Sequence, residues 1–224
     1  MSGEFAFSNF ENWGNAHNSG FEFCIEASRG KTCVLDIGAH IGLVSLPLSQ
    51  MVAPDGRVFA FEPATANRAA LKRHLELNAI TNVEVVTQLV GDTDNADIVL
   101  FEHANVSGMN TRAPFKSGAE YIETRHRQLT IDSFCRERGL EPDVIKIDVE
   151  GAEFAVLEGA REILATSRPV LVVSIHPQHL KALGRNADEL RALAAASDYA
   201  VSDTDGNTVK TFQLDEYVLQ PIGK

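Results

Sequence analysis

The chain has 224 residues, enough for one α/β domain with a small lid and without a second domain. Its 20 basic and 31 acidic side chains leave a net charge of −11, which repels a phosphate backbone, and the one dense basic run, Arg125-His126-Arg127, is short and close to Glu123. Nucleic acid is therefore not expected as a partner.

No apolar run is long enough to cross a bilayer, and Met1-Ser2-Gly3-Glu4-Phe5 has neither a basic nor an apolar leader pattern. A cytoplasmic protein with no membrane partner is expected. Cys24, Cys33 and Cys135 are odd in number and widely spaced, which suits buried reduced thiols rather than disulfides or a metal site.

Residues 1–30 scatter Phe5, Phe7, Phe10, Trp13, Phe21 and Phe23 among Asn, Ser and Gly with no sustained period, the composition of an arm or lid. From Thr32 short apolar runs alternate with helical stretches, the pattern of βαβ units on a parallel sheet, so residues 31–224 form the expected domain. A strand over 32–37 feeds a glycine-rich turn and a helix over 41–51, with Pro47 near the first turn, where a missing N–H costs little. After Pro54-Asp55-Gly56 follow a strand over 57–62, a helix over 66–77 with Leu71 and Leu75 on one face, and a strand over 83–87.

Helical periodicity lapses at about 93–128. That stretch holds strands over 97–101 and near 125–129 around a loop at 104–114 rich in Asn, Ser and Gly, and a hairpin-like insertion overhanging the site is expected. The apolar strand Val144-Ile145-Lys146-Ile147-Asp148-Val149 then precedes a helix in which Val156, Leu157, Ala160, Ile163 and Leu164 share a face. Residues 169–175 form a strand buried on both faces, and Asn186 and Glu189 cap the next helix. Two closing strands, 199–202 and 216–220, flank the turn Thr204-Asp205-Gly206-Asn207.

Ligands of such sheets lie beyond the carboxyl ends of the strands, where this chain places Asp36, Glu62, Asp92, Asp148 with Glu150, and Ser174 to His176. Glu62 ends the second strand, where a carboxylate can accept both hydroxyls of a ribose. The turn Asp36-x-Gly38-x-x-x-Gly42 lacks the third glycine of a pyrophosphate-binding turn and carries the bulky His40. Its spacing is closer to the turn with which class I methyltransferases hold S-adenosylmethionine (AdoMet). An acidic rim also suits a sulfonium and an ammonium better than a phosphate. A nicotinamide-dependent Rossmann oxidoreductase and a non-catalytic binding module of the same fold remain the alternatives.

Three acids, Asp148, Glu150 and Glu153, crowd the end of one apolar strand, so a cation, a metal or a shared proton should relieve them. A divalent ion on Asp148 and Glu150 is conceivable, but with no His or Asn beside them in sequence none is expected. Transfer to a hydroxyl needs a proton acceptor. His176 is the first candidate because imidazole titrates near neutrality, with Asp148 or Glu150 second.

The succession Asp36-x-Gly38-Ala39-x-x-Gly42, Phe61-Glu62-Pro63, Val90-Gly91-Asp92, Leu129-Thr130-Ile131-Asp132 and Ile145-Lys146-Ile147-Asp148-Val149-Glu150-Gly151-Ala152-Glu153 resembles the FkbM family of AdoMet-dependent methyltransferases over about residues 33–177. The resemblance implies a class I Rossmann-like methyltransferase fold: a mostly parallel seven-stranded sheet with helices on both faces and a reversed final strand. It further implies O-methylation of a small molecule, natural product or sugar. AdoMet would then be bordered by Asp36, Gly38, Ala39, His40 and Gly42, by Glu62 and Pro63 at the ribose, and by Gly91 and Asp92 at the adenine. Asp148, Glu150 and Gly151 would stand near the methyl group and the acceptor. The chain departs from the family pattern at His40, usually Asn, and at Ser174, often an acid.

Overall fold

A computed structural model describes residues 19–112 and 121–223. In chain order its elements are α1 (Ser19–Ala27), β1 (Cys33–Ile37), α2 (Ser45–Met51), β2 (Arg57–Phe61), α3 (Thr65–Leu77), β3 (Val83–Val86), β4 (Leu89–Val90), β5 (Asp97–Glu102) and β6 (Ile122–Leu129). There follow α4 (Ile131–Arg138), β7 (Val144–Ile147), α5 (Glu153–Glu158), α6 (Arg161–Thr166), β8 (Val170–Ile175), α7 (Pro177–Ala182), α8 (Glu189–Ala196), β9 (Tyr199–Ser202) and β10 (Asp215–Pro221). The main sheet has seven strands in the order β3-β2-β1-β7-β8-β10-β9. The first five are parallel, and the last strand, β10, runs against both of its neighbours. This is the class I methyltransferase arrangement that the sequence resemblance implies.

Strand side chains alternate between faces, and the two faces bury different helices. Leu35, Ile37, Phe59, Phe61, Ile145, Ile147, Leu171 and Val173 join residues of α4, α5, α6 and α8 in one core. Val34, Val58, Val144 and Val172 point the other way and pack with Cys24 of α1 and with Val44 and Leu48 at α2, while Leu71 and Leu75 of α3 pack beside them on Ala60. Cys24, Cys33 and Cys135 are buried and unbonded.

Several elements differ from the sequence expectation for local reasons. The helix expected over 41–51 begins only at Ser45, because His40 and Gly42 take left-handed φ values of 53° and 93° that no α-helix accommodates. The helix expected through 156–164 breaks into α5 and α6 at Gly159. A Cβ there would stand 2.0 Å from the carbonyl oxygen of Gly91, and the Asp132 carboxylate caps the second piece by accepting from Glu162 N and Ile163 N. The final hairpin is wider than its turn suggests, since residues 203–214 separate β9 from β10 and bury Val209 and Phe212.

Part of the stretch expected as an arm is α1, whose Cys24 is wholly buried on the sheet; residues 1–18 lie outside the described residues. The stretch after β3 forms a separate sheet in the order β4-β6-β5, with β5 and β6 antiparallel. From its tip, residues 103–112 return to the main domain, where Asn67 and Ser107 exchange hydrogen bonds of 2.9 and 3.0 Å.

Candidate active site

From β1 the chain steps outward to β2 and β3, then crosses back to place β7 on the other side of β1. The loops leaving β1 and β7 therefore diverge at their carboxyl ends, where an α/β sheet forms its ligand crevice. A cleft with about 890 Å³ of empty space, counting its mouth, opens there. Its walls come from the turns after β1, β2 and β7, from Gln88 to Val90, from the insertion at Ser107 to Arg112, and from Phe21 of α1.

The turn after β1 is built for close approach. Gly38 has φ of 82°, and a Cβ on it would lie 1.8 Å from the carbonyl oxygen of Asp148. The Gly38 and Ala39 N–H groups both donate to Phe61 O, at 3.0 and 2.9 Å, which ties the turn to the end of β2. His40 N donates to Glu62 Oε2 at 2.8 Å and Ala64 N donates to Glu62 Oε1 at 2.9 Å. Glu62 is thus gripped by backbone donors while lining the cleft. Burial raises its carboxyl to about 7 against the lowering effect of those donors. His40 also lines the cleft; burial and the Lys146 charge lower its pKa, and its buried Nε2 has no hydrogen-bond partner.

Beneath the turn lies a buried cation. Lys146 on β7 is the register partner of Asp36 on β1, and both side chains are almost fully enclosed. Its Nζ is 3.2 Å from Asp36 Oδ1 and 3.6 Å from Asp148 Oδ2, and it donates to Gly38 O at 2.8 Å. Burial disfavours the ammonium, but the Asp36 and Asp148 charges outweigh that and raise its pKa. The second oxygen of Asp36 accepts from Ser45 Oγ at 2.5 Å.

The acidic end combines residues far apart in sequence. Glu150 adopts a left-handed φ of 50° and Gly151 one of 104°, a tight bend in which a Cβ on Gly151 would stand 2.7 Å from that of His179. His176 leaves the end of β8 just before Pro177, and its Nδ1 is 2.6 Å from Glu153 Oε1. Its Nε2 faces Asp148 Oδ1 at 3.6 Å and Glu150 Oε1 at 3.5 Å. Glu150 Oε2 in turn lies 3.4 Å from His179 Nε2. Burial would lower the His176 pKa, but the Glu153 hydrogen bond and the Glu150 and Asp148 charges raise it to about 9. Burial raises Glu150 to about 7.

Of the residues singled out in the sequence, Gly38, Ala39, His40, Glu62, Pro63, Asp148 and Glu150 line the cleft. Asp36, Gly42, Gly91, Asp92 and His176 are not in its walls. Asp36 is committed to Lys146 and Ser45. Gly42 is a packing position, where a Cβ would meet Leu46 and Leu71 at 2.4 and 2.7 Å. Gly91 is covered by Gln128, whose amide donates to the exposed Asp92 at 3.2 Å, so the chain turns away from the cleft before reaching that acid. Phe21, one of the aromatics expected in an arm or lid, lines the cleft, as do Gln88, Arg112 and Lys146, which were not singled out as site residues. Only Lys146 carried a readable signal, a lone cation in an apolar strand that requires a buried anion.

Residues 36–201 match the methyltransferase FkbM domain. Among curated proteins, the chain is 29% identical over 206 residues to the AMB antimetabolite synthetase AmbE of Pseudomonas aeruginosa, covering 75% of this chain and 10% of that protein. It is 30% identical over 158 residues to methyltransferase sdnD of Sordaria araneosa, covering 58% of this chain and 60% of the relative. It is 28% identical over 154 residues to the 2-O-methyltransferase NoeI of Sinorhizobium fredii, covering 60% of each. The chain therefore spans a tenth of the first relative and about three fifths of the other two.

Among solved structures, a methyltransferase FkbM from Methylobacillus flagellatus aligns with a TM-score of 0.57 at 20% identity, over 86% of this chain and 44% of that one. SMU.1697c from Streptococcus mutans, solved with S-adenosylhomocysteine, aligns at 0.51 and 10% identity, over 90% of this chain and 93% of that one, and shares the fold. Because the matched segment runs from the end of β1 through β7 and β8 and takes in the turns that wall the cleft, the chain belongs to the FkbM methyltransferase domain family.

Proposed function

We propose that this chain is an AdoMet-dependent O-methyltransferase acting on a hydroxyl group of a small molecule, natural product or sugar. The observation that carries the reading is Glu62: a carboxylate 5% exposed that lines the cleft and accepts one backbone N–H on each oxygen, with Asn67 beside it as a further donor, so that each oxygen keeps acceptor capacity. Such a group suits the paired hydroxyls of a ribose. Pro63, Leu89 and Val90 offer apolar wall for an adenine, and the carboxylates of Asp148 and Glu150 suit a sulfonium. A pyrophosphate suits the cleft poorly, because the Gly38 and Ala39 N–H groups are already given to Phe61 O and His40 fills the turn.

AdoMet supplies a methyl group on positively charged sulfur, which the acceptor oxygen takes as the thioether leaves with the bonding pair. The chain's part is to align the acceptor, exclude water and receive the hydroxyl proton. Asp148 and Glu150 line the cleft and are placed to receive that proton. His176 sits behind them with both ring nitrogens turned to carboxylates, so it orients them. The name of the relative NoeI, a 2-O-methyltransferase, supports oxygen as the acceptor atom. Calorimetry with AdoMet, repeated on Glu62→Ala, tests the cofactor. A mass gain of one methyl group in a panel of hydroxylated metabolites tests the transfer. Saturable uptake abolished in the variant is the expected result; equal uptake by both proteins would remove the basis of the reading.

A further inference from the structure

We propose that Asp148, Glu150 and His176 form a divalent-cation site in the floor of the cleft, whose open positions receive the oxygen of the methyl acceptor. The His that is missing beside the two acids in sequence is delivered by β8, and among the described residues these three side chains bring one ligand atom each within 4.8 Å of one another.

Distances favour an ion over direct pairing. His176 Nε2 stands 3.6 Å from Asp148 Oδ1 and 3.5 Å from Glu150 Oε1. A charge-assisted N–H···O bond is about 2.7–2.9 Å long, which is shorter than either. Two ligand atoms each about 2.1 Å from one ion stand about 3.0–3.4 Å apart at octahedral or tetrahedral angles, so a small inward adjustment would bring all three atoms to ligand distance and leave the other positions open.

The surroundings are those of an oriented ligand. Glu153 is wholly buried, is anchored by Gly151 N at 3.0 Å, and engages His176 Nδ1 at 2.6 Å. Nδ1 gives its proton to Glu153, so an ion that displaces the Nε2 proton of the cationic ring would find that nitrogen facing the two carboxylates, the carboxylate–histidine–metal relay of many metal sites. The other Glu153 oxygen is buried without a hydrogen-bond partner, a charge that a nearby dication would offset. Lys146 serves Asp148 through the opposite oxygen, Oδ2, and does not occupy this side.

Asp148 and Glu150 line the cleft and His176 lies behind them, so vacant positions on the ion would face the cleft. One imidazole and two carboxylates suit Mn²⁺ or Zn²⁺ better than the all-oxygen preference of Mg²⁺ or Ca²⁺. That the acceptor oxygen fills the vacant positions rests on the transferase reading; the ion site does not.

The test uses the full chain, stripped with a chelator and titrated with Mn²⁺ alone, following free Mn²⁺ by paramagnetic resonance. The expected result is one ion per chain, with affinity falling about tenfold or more in Glu150→Gln and in His176→Gln, and about 10–100-fold in Glu153→Gln, which touches no ion. Glu150 is partly exposed, so its variant keeps the fold. No binding at millimolar Mn²⁺, or affinity unchanged in both Glu150→Gln and His176→Gln, overturns the proposal. AdoMet calorimetry on the same stripped protein separates the two readings: lost AdoMet uptake with Mn²⁺ binding intact sinks the transferase and leaves the ion site, and the reverse result sinks only the ion site.

Discussion

The Lys146 ammonium stands 3.2 Å from the Asp36 carboxylate across the β1–β7 pair, where the two residues are register partners inside the sheet. An ion pair this deep adds little net stability, but removing one member strands the other. Lys146→Met should cost about 3–5 kcal/mol, because Asp36 would stay charged and enclosed. Asp36→Asn combined with Lys146→Met should cost less than the sum of the single changes. Urea unfolding of the four proteins reads the coupling, and strictly additive losses would show that the two groups do not depend on each other.

On the proposed ribose contact, Glu62 should give AdoMet binding a pH dependence with a definite sign. Burial raises its carboxyl to about 7, whereas ribose hydroxyls need the ionised form as acceptor. Binding therefore selects the carboxylate and releases a proton. Affinity should rise as pH goes from 6 to 8 and then level off, and Glu62→Gln should be weaker by about 1.5–3 kcal/mol and flat across the range. Calorimetry in two buffers of different ionisation enthalpy measures the released proton. A wild-type affinity independent of pH would take Glu62 out of the ribose contact.

What the sequence discloses and what it hides divide along physical lines. Strand-end acids, glycine turns and apolar periods are local, so Glu62, the Gly38 turn and the strands of the sheet can be read from short windows of chain. Contacts across the sheet are not local. The fold puts His176 on the same rim as Asp148 and Glu150, but nothing near them announces that its ring will come within 3.6 Å of both, and nothing near Asp92 announces that Gln128 will cover Gly91 and hold that acid at the surface. Gly159 looks like a tolerated helix residue until Gly91 O is found where its Cβ would be.

Gly38 and Gly139 separate conformational freedom from close approach. Both have positive φ, 82° and 63°, but a Cβ on Gly139 would meet nothing within 4 Å, while on Gly38 it would strike Asp148 O at 1.8 Å. Alanine at Gly139 should cost only the backbone term, about 1–2 kcal/mol. Alanine at Gly38 should cost clearly more and also weaken AdoMet binding, because the clash can be relieved only by moving the Asp148 carbonyl or the turn itself. Equal unfolding midpoints for the two variants would show that the β1 and β7 turns do not need this contact.

Arg112 fastens the insertion to the cleft wall. Its guanidinium donates to Val90 O and Gln128 Oε1, both at 2.8 Å, and so ties the segment returning from β5 to β4 and β6. Its Nε is buried without a hydrogen-bond partner in a residue that lines the cleft, so a ligand acceptor there would gain a donor already held in place. Arg112→Met leaves Val90 O and Gln128 without that donor but keeps the stem that packs against them. The segment would then hang on the Asn67–Ser107 pair, on the Phe101–Thr111 backbone pair and on the Thr111 hydroxyl, which reaches Glu150 O and His179 Nδ1, each at 3.3 Å. Hydrogen exchange of the variant should speed up at Thr111 and its neighbours, stay unchanged in β1 and β7, and be accompanied by weaker AdoMet binding. If exchange quickens without any loss of AdoMet affinity, the insertion covers the cleft without touching the cofactor, and its polar residues at 107–112 then face the acceptor instead.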